Sequence, residues 1–561
     1  MASSAHHVTV EEERSAIDNQ LAWHYAQIAV LTEKHNAFVP ILRLSNELLA
    51  RILTIYAAES DCLFNLKWTR VLFVCRRWHE LALASAARPL WSFIAIRFQS
   101  FNCSVHRVST QLRRSGDYPL TIKIKLYESN ACIDSILNQA ERIRSLHVTG
   151  VATYVYHLID RLTALSLPIL HSLTLDPSYK QDELPGSIVK ALPDVIFDGK
   201  LPNLCELTLT SIAFPWRLMG NLVALCLSHS DNSVKSTPSN FPDLMLMLES
   251  CPRLRTLELD SVLPSPGPHE HHSPVDLPFL ELLHLHETVA TCTALLAYLR
   301  FPSTSTVELK PQNVHIGADI KDVLIPLHKC IRSRIISALR IVAFWIEEDS
   351  GREGYCVMSF NFHTPARRSG SLTLTCHPRN QRTVRQIMKK AIKTSPSLSI
   401  THLDIECATN ISEASWKGAL KLLRAVQLVR LQAHGGGLNF VRALSAMETA
   451  DPLYTTFPRI LHLHTRVSGS QRWKDMIPDF LHALEDYLRT RLAKRNMLET
   501  LELKDDLFRY LLKHEEEIER LFYMMQGAGT LLYNGALFDP VQAREEREKM
   551  EDELRDLWEM E

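Results

Sequence analysis

Histidines in a proline-rich segment are the residues of this chain whose spacing comes closest to a metal site. Residues 263–278 read LPSPGPHEHHSPVDLP and contain His269, His271 and His272. Their order differs from the His-Glu-x-x-His spacing that binds zinc from one helix face, and the prolines forbid a helix here. The 12 cysteines include no Cys-x-x-Cys pair and no regular spacing, so neither a zinc site nor a disulfide framework is indicated. We therefore expect solvated loop histidines, no metal ligands and no cofactor.

Other signatures of catalysis are weak or missing in the sequence. Residues 435–437 are three glycines without the Lys-Ser/Thr that follows in a phosphate-binding loop. The sequence contains no Gly-x-Ser-x-Gly elbow and no kinase signature set. Nothing in the spacing pairs the plentiful carboxylates and histidines. The sequence therefore predicts that the chain is not an enzyme, although a hydrolase or transferase hidden in the long repeat region remains an alternative.

Composition and charge point away from nucleic acids and membranes. A formal net charge of -1 gives no general reason to bind nucleic acid or an anionic surface. The helical stretch QRTVRQIMKKAIKTSP is basic, but it lacks interleaved aromatics, so we interpret it as a solvated outer helix. No apolar run reaches membrane-spanning length, and the N-terminal MASSAHHVTVEEERS lacks the apolar core of a signal peptide. We expect a soluble protein that is cytoplasmic and/or nuclear, with no nucleic acid and no membrane as a partner.

The elements that must carry any function begin with residues 40–91, which read as three short helices. Ser45 lies where an N-cap belongs, just before a wide apolar stripe. In the predicted second helix, apolar residues from Val71 to Trp78 recur at helical spacing, and a third helix is expected to end before Pro89. Three helices of this size carry more apolar surface than they can bury against one another. We therefore expect one apolar face to remain exposed and to bind a partner. The predicted stripe consists of Leu48, Leu49, Ile52, Leu53 and Tyr56.

This segment resembles an F-box. Its opening run, Leu44-Ser45-Asn46-Glu47-Leu48-Leu49 followed by Ile52-Leu53, matches the family's, except that Ser45 replaces a proline. Val74-Cys75-Arg76-Arg77-Trp78 matches the Val-Cys-Arg-x-Trp run, and Pro89-Leu90-Trp91 matches the closing run. Lys34-His35-Asn36 and Pro40-Ile41 resemble the approach to the F-box in fungal members. The resemblance implies docking on a Skp-type adaptor through residues drawn from Leu44, Glu47, Leu48, Leu49, Ile52, Leu53, Val74, Cys75 and Trp78.

A polar helix is predicted ahead of this segment, from about residue 12 to residue 38. Leu21 and Ile28 alternate with Ile17, Leu31 and Phe38 in a heptad-like register, but His24 and His35 occupy seam positions. The pattern is too short to indicate a coiled coil by itself. We expect the helix to dock on the three-helix segment or to be partly free.

Repetition organises the chain after Trp91. The pattern apolar-x-x-apolar-x-apolar alternates with helical segments, and Leu-Pro or Cys-Pro introduces several copies, which is typical of leucine-rich repeats. Two segments around PARRSG alternate as strands and predict a β-hairpin inserted between the repeats at Leu339 and Leu403. Copies begin at Ile143, Leu170, Leu204, Leu222, Leu254, Leu280, Ile336, Ile400 and Leu498, with weaker ones near Val307 and Ile460.

Residues that alternate with the leucines should form the exposed face of the sheet. This set is polar and mildly acidic, which favours a basic or polar protein target, and the alternative is an ordinary solvated face. The target-binding residues that we predict from it are Glu206, Thr208, Thr256, Glu258 and His284.

The sequence thus predicts an α/β protein with four regions. They are an N-terminal helix or linker (1–39), a three-helix F-box (40–95), an irregular leucine-rich-repeat-like solenoid with its inserted hairpin (96–510), and a helical cap with a charged tail (511–561). The function that this implies is the substrate-receptor subunit of an SCF-type (cullin-RING) ubiquitin ligase. In it the adaptor links the F-box to a cullin, and the repeats bind a protein target. The alternative is a repeat-protein interaction scaffold without ligase function.

Overall fold

The chain folds into two compact units. Unit 1 comprises Met1–Gln181 with Gly199–Leu204, and unit 2 comprises Asp182–Asp198 with Cys205–Glu561. The boundary falls inside the region that the sequence predicts as one run of repeats. The computed structural model describes residues 3–36, 38–60, 62–96, 101–128, 131–179, 192, 201–213, 220–229, 241–263, 273–312, 336–346, 355–364, 367–378, 380–394, 400–407, 411–433, 437–450, 460–465, 471–495, 498–505, 519–523, 529–533, 536–537 and 545.

Unit 1 begins with helices that the sequence predicts in part. Ser45 caps its helix as expected, accepting a hydrogen bond from the backbone N–H of Leu48 at 3.4 Å. The predicted second helix is wrong as a single element, because Cys75 is extended (φ -159°, ψ 168°) and separates a 3-10 helix from an α-helix. Pro89 lies in the first turn of a further short helix that begins at Arg88, since the first turn tolerates proline. The helices are α1 Ser3–Asn36, α2 Asn46–Glu59, α3 Arg76–Leu83 and α4 Arg88–Trp91, with 3-10 segments Pro40–Arg43, Lys67–Phe73 and Ser85–Ala87.

A parallel sheet follows in unit 1. Its strands pair in chain order, and a helix lies between each strand and the next. The first of these helices ends at Ser115, and Gly116 then adopts a left-handed φ of 54°, a conformation that glycine tolerates best. The elements are β1 Phe93–Ile96, α5 Phe101–Ser115, β2 Leu120–Leu126, α6 Cys132–Leu137, β3 Ile143–Val151, α7 Ala152–Leu162 and β4 Ser172–Tyr179.

Unit 2 continues the strand-and-helix alternation. Its elements are β5 Glu206–Thr210, β6 Ala224–Ser228, α8 Phe241–Glu249, β7 Thr256–Asp260, β8 Val275–Asp276, β9 Leu282–His286, α9 Val289–Tyr298, β10 Leu299–Arg300, β11 Thr306–Leu309, β12 Ala338–Ile346, β13 Tyr355–Thr364, β14 Arg367–Cys376, α10 Gln381–Thr394, β15 His402–Cys407, α11 Glu413–Leu420, β16 Leu428–Ala433, α12 Gly437–Ala450, β17 Ile460–Thr465, α13 Gln471–Ala493, β18 Thr500–Asp505, β19 Thr530–Tyr533 and β20 Ala536–Leu537.

The leucine pattern explains the register of unit 2. Strands β5, β6, β7, β9 and β11 pair in parallel, so that Leu207, Leu225, Leu257, Leu283 and Val307 form one buried row. Strands β15 to β19 repeat the arrangement further along the sheet. The result is a mixed α/β fold with a large parallel sheet, compatible with stacked repeats that bury their leucines against their neighbours.

The predicted hairpin forms and is part of the sheet. Strands β13 and β14 are antiparallel, as predicted. Strand β14 also pairs in parallel with β11, while β13 pairs antiparallel with β12, which in turn pairs in parallel with β15. The strand order is therefore β11-β14-β13-β12-β15, and the hairpin joins the two parallel runs.

Strands β16 and β19 are among those that lie outside the predicted pattern. The sequence contains a further copy, Val426-Val429-Leu431, which the sequence analysis did not identify and which forms β16. Within residues 511–561, predicted as a helical cap and tail, β19 extends the parallel sheet instead. Residues 519–523 of the predicted closing helix are helical, and nearly all of the charged tail lies outside the described residues.

Candidate docking surfaces

The apolar stripe of helix α2 consists of two adjacent rows of residues, which we call lanes. One lane is buried and the other is exposed. Leu49 and Leu53 are 1% and 4% exposed and belong to the core of the N-terminal helices. Leu48 and Ile52, one position before each of them, are 52% and 40% exposed. A single residue step rotates a helix by about 100°, so the two lanes lie on different sides of α2. We call Leu48, Ile52, Ile55 and Tyr56 the exposed lane.

A hydrophobic core supports α2 from the other side. Trp68 and Trp91 pack edge to face at 4.8 Å between ring centroids, and the indole N–H of Trp91 donates to the carbonyl of Ala82 at 2.8 Å. Such a pair holds the 3-10 helix against α4. The orientation of the exposed lane is therefore fixed by a packed core.

Arg77 joins the N-terminus of α2 to that of α3. Its Nη2 donates to the carbonyl of Leu44 at 2.5 Å and to Asn46 Oδ1 at 3.1 Å. The link brings the segment that precedes α3 close to the start of the exposed lane. In that segment Phe73 is 87% exposed and Val74 is 61% exposed. Apolar exposure of this extent on two linked elements is typical of an interaction surface.

The predicted adaptor-binding residues thus fall into three groups. The exposed ones are Glu47, Leu48, Ile52 and Val74. The half-buried ones are Leu44, Cys75 and Trp78, of which Leu44 and Trp78 pack against the core. The buried ones are Leu49 and Leu53.

A second surface lies on the sheet of unit 2, opposite the leucines. The five predicted target-binding residues come together in two rows, since Glu206 is level with Thr256, and Thr208, Glu258 and His284 are level with one another. Glu206 is exposed and the other four are half-buried. The pairing of β9 with β11 adds Glu308 beside His284, so the imidazole lies between two carboxylate-bearing strand positions.

Burial and nearby charges shape the chemistry of this face. Burial, helped by the positive charge of Lys310, lowers the pKa of His284, so its imidazole resists protonation. Burial and the Glu258 carboxylate raise the pKa of the Cys226 thiol to about 11. A thiol with that pKa is not a nucleophile at neutral pH. These groups suit hydrogen bonding and charge recognition.

At the carboxyl ends of the same strands, Asp260 and His286 are hydrogen-bonded, with 2.8 Å between Asp260 Oδ1 and His286 Nδ1. Glu287, the next residue, is 2% exposed and accepts hydrogen bonds from the backbone N–H groups of Val262 and Leu263 at 2.8 and 2.9 Å. Burial raises the pKa of Glu287 to about 7. Its carboxyl group braces the turn after β7.

Several residues of this face escaped the sequence analysis, namely Cys226, Asp260, His286, Glu308 and Lys310. The signal for them was present, because each lies at an alternate position of a predicted repeat or directly after it. Aligning the repeats against one another would have placed them on the same face.

Within the described part of the chain, no group of histidines, cysteines and carboxylates could hold a metal ion. His269, His271 and His272 lie outside the described residues. Among the described helices, none is long and apolar enough to cross a membrane.

The comparisons with known proteins find similar chains among the solved structures. The crystal structure of Listeria monocytogenes InlP matches with 11% sequence identity and a TM-score of 0.21, covering 52% of this chain and 89% of that chain. At that TM-score the likeness carries no functional argument. No family model matches the chain, and no curated protein matches it.

Proposed function

We propose that this chain is the substrate-receptor subunit of an SCF-type (cullin-RING) ubiquitin ligase. In this proposal the N-terminal helices are an F-box that docks on a Skp-type adaptor, which links the chain to a cullin. The repeats hold a protein target, and the other subunits carry out the ubiquitin transfer.

The observation that carries the proposal is the exposed lane of α2. A packed core lies beneath it, and Leu48, Ile52, Ile55 and Tyr56 are each 40–52% exposed. A helix that buries one lane and exposes another of equal apolarity is well suited to bind a second protein. The three sequence runs that resemble an F-box, residues 44–53, 74–78 and 89–91, lie in and directly before α2, α3 and α4.

The sheet face of unit 2 supports the second half of the proposal. Glu206, Glu258 and Glu308 give its first strands a negative charge, which favours a target segment rich in lysine or arginine. The face offers charge complementarity and few aromatic anchors, so we expect it to select a target and to bind it weakly.

The test is co-purification of the full chain with a Skp-type adaptor. Leu48→Glu and Ile52→Glu should weaken capture by about thirtyfold or more, because each places a charge in the centre of an apolar contact. Ile169→Glu is the matched control, since Ile169 is similarly exposed at 37% and lies in unit 1 between α7 and β4, outside the three F-box-like runs. Equal capture by all of these variants would contradict the proposal. Failure of the unmodified chain to bind the adaptor would favour the scaffold alternative.

A further inference from the structure

Helix α1 exposes a seam that no described part of the chain covers. Every described side chain from Glu11 to Thr32 is exposed. The sequence analysis left open whether this helix docks or is free, and over these residues it is free. Its exposed apolar residues include Ile17 at 57%, Ile28 at 58% and Leu31 at 64%.

The spacing of these residues follows a heptad. Positions 17, 21, 24, 28, 31 and 35 alternate steps of four and three, which places Ile17, Leu21, His24, Ile28, Leu31 and His35 along one side of α1. The structure keeps α1 helical from Ser3 to Asn36, so the whole seam lies on one continuous helix. A seam of this kind is completed by a second helix with the same period.

From this geometry we propose that α1 pairs antiparallel with α1 of a second copy of the chain. The seam is symmetric about residue 26, so in the antiparallel arrangement Leu21 of one copy meets Leu31 of the other. His24 then meets Ile28, and Ile17 meets His35. At every layer, a seam residue of one helix therefore contacts a seam residue of the other helix, and each histidine packs against an isoleucine.

Charge selects the antiparallel orientation. The segment of residues 11–18 carries four carboxylates and one arginine. A parallel pair would set these segments side by side, with Glu13 of one copy beside Asp18 of the other. The antiparallel pair instead places the two acidic segments at opposite ends of the pair, so the like charges separate.

The expected dimer is weak, because the seam has only six positions per helix. Sedimentation of the full chain should show a mass that rises with concentration toward twice that of the monomer, with a Kd in the micromolar range. Ile28→Glu should raise the Kd about tenfold or more. Val30→Glu is the matched control, since Val30 is 48% exposed and lies off the seam, and it should leave the Kd within about twofold.

Cysteine cross-linking tests the orientation. Leu21→Cys and Leu31→Cys chains, carrying tags of different mass, are oxidised separately and then as an equal mixture, with the unmodified chain as the background. The antiparallel pair predicts that only the mixture forms a disulfide, joining one chain of each kind. Disulfides in each variant alone would show a parallel pair and overturn the proposal.

Two further results would also overturn it. One is a monomer at every concentration. The other is a lower melting temperature for Ile28→Glu with no change in mass, which would mean that α1 docks on its own chain.

Discussion

Replacing Arg491 by methionine is expected to destabilise unit 2 by about 3–5 kcal/mol. The Arg491 side chain is 1% exposed, and its Nη1 lies 3.3 Å from Glu448 Oε1. The same nitrogen donates to the hydroxyl of Tyr487 at 2.8 Å. Glu448 belongs to α12 and Arg491 to α13, so this ion pair joins two neighbouring helices. Methionine fills most of the space of the Arg491 side chain, but the buried Glu448 carboxylate then lacks its guanidinium partner.

The loss should depend on pH in a defined direction. Burial raises the pKa of Glu448, and the positive charges of Arg491 and Lys494 oppose that rise. Removing Arg491 therefore raises the pKa further. A folded-state pKa above the unfolded value means that stability is retained at low pH and is lost as the pH rises through the folded-state pKa. The variant should therefore lose more free energy of unfolding at pH 8 than at pH 5, by about 1.4 kcal/mol for each unit that the pKa rises.

Urea unfolding at the two pH values measures the loss, and hydrogen exchange of α12 and α13 locates it. Arg489→Met is the matched control, because Arg489 lies on the same helix with its side chain 67% exposed and reaches Asp486 only at 4.0 Å. It should change the free energy of unfolding by no more than about 0.5 kcal/mol. Combining Arg491→Met with Glu448→Leu should recover much of the loss, since both members of this buried pair are then apolar. An equal loss at both pH values would refute the reasoning.

Three further predictions concern the two docking surfaces. Leu49→Ala should cost about 2–5 kcal/mol of folding free energy and Leu48→Ala about 0.5 kcal/mol, so thermal melting should separate neighbours that the sequence treats alike. Trp78→Ala should lower the free energy of unfolding by about 3 kcal/mol, because Trp78 packs against the core. If the melting temperature stayed the same while adaptor binding was lost, Trp78 would be an interface anchor instead. Reversing the charge of Glu206 and Glu258 to lysine should weaken capture of a basic target about tenfold with adaptor binding intact, and unchanged capture would move the target site to the loops.

The strands could be predicted from the sequence because their signal is local. A leucine at every second position buries one face of a strand, whatever the strand pairs with. Each predicted copy therefore forms a strand, including the weak ones at Val307 and Ile460. The cap at Ser45 and the helix end at Gly116 depend equally on the few residues beside them.

The candidate sites were predicted only in part. The alternation rule placed Glu206, Glu258 and His284 on one face, and the structure brings them together. It did not identify Glu308 as the neighbour of His284, because that neighbour depends on which strand pairs with β9. On α2 the sequence defined one stripe, and it could not tell Leu48 from Leu49 since both are leucines at helical spacing.

The sequence by itself determined the repeat strands that it predicted, the cap at Ser45, the helix end at Gly116 and the buried side of each strand, since these follow from side-chain period and backbone preference within a few residues. Only the tertiary structure decided that Leu49 faces the core and Leu48 faces solvent, because the Trp68–Trp91 core packs on one side of α2. Tertiary pairing also placed β14 against β11 and β13 between β14 and β12. Strand order is set by contacts between residues far apart in the chain, and no local pattern encodes it.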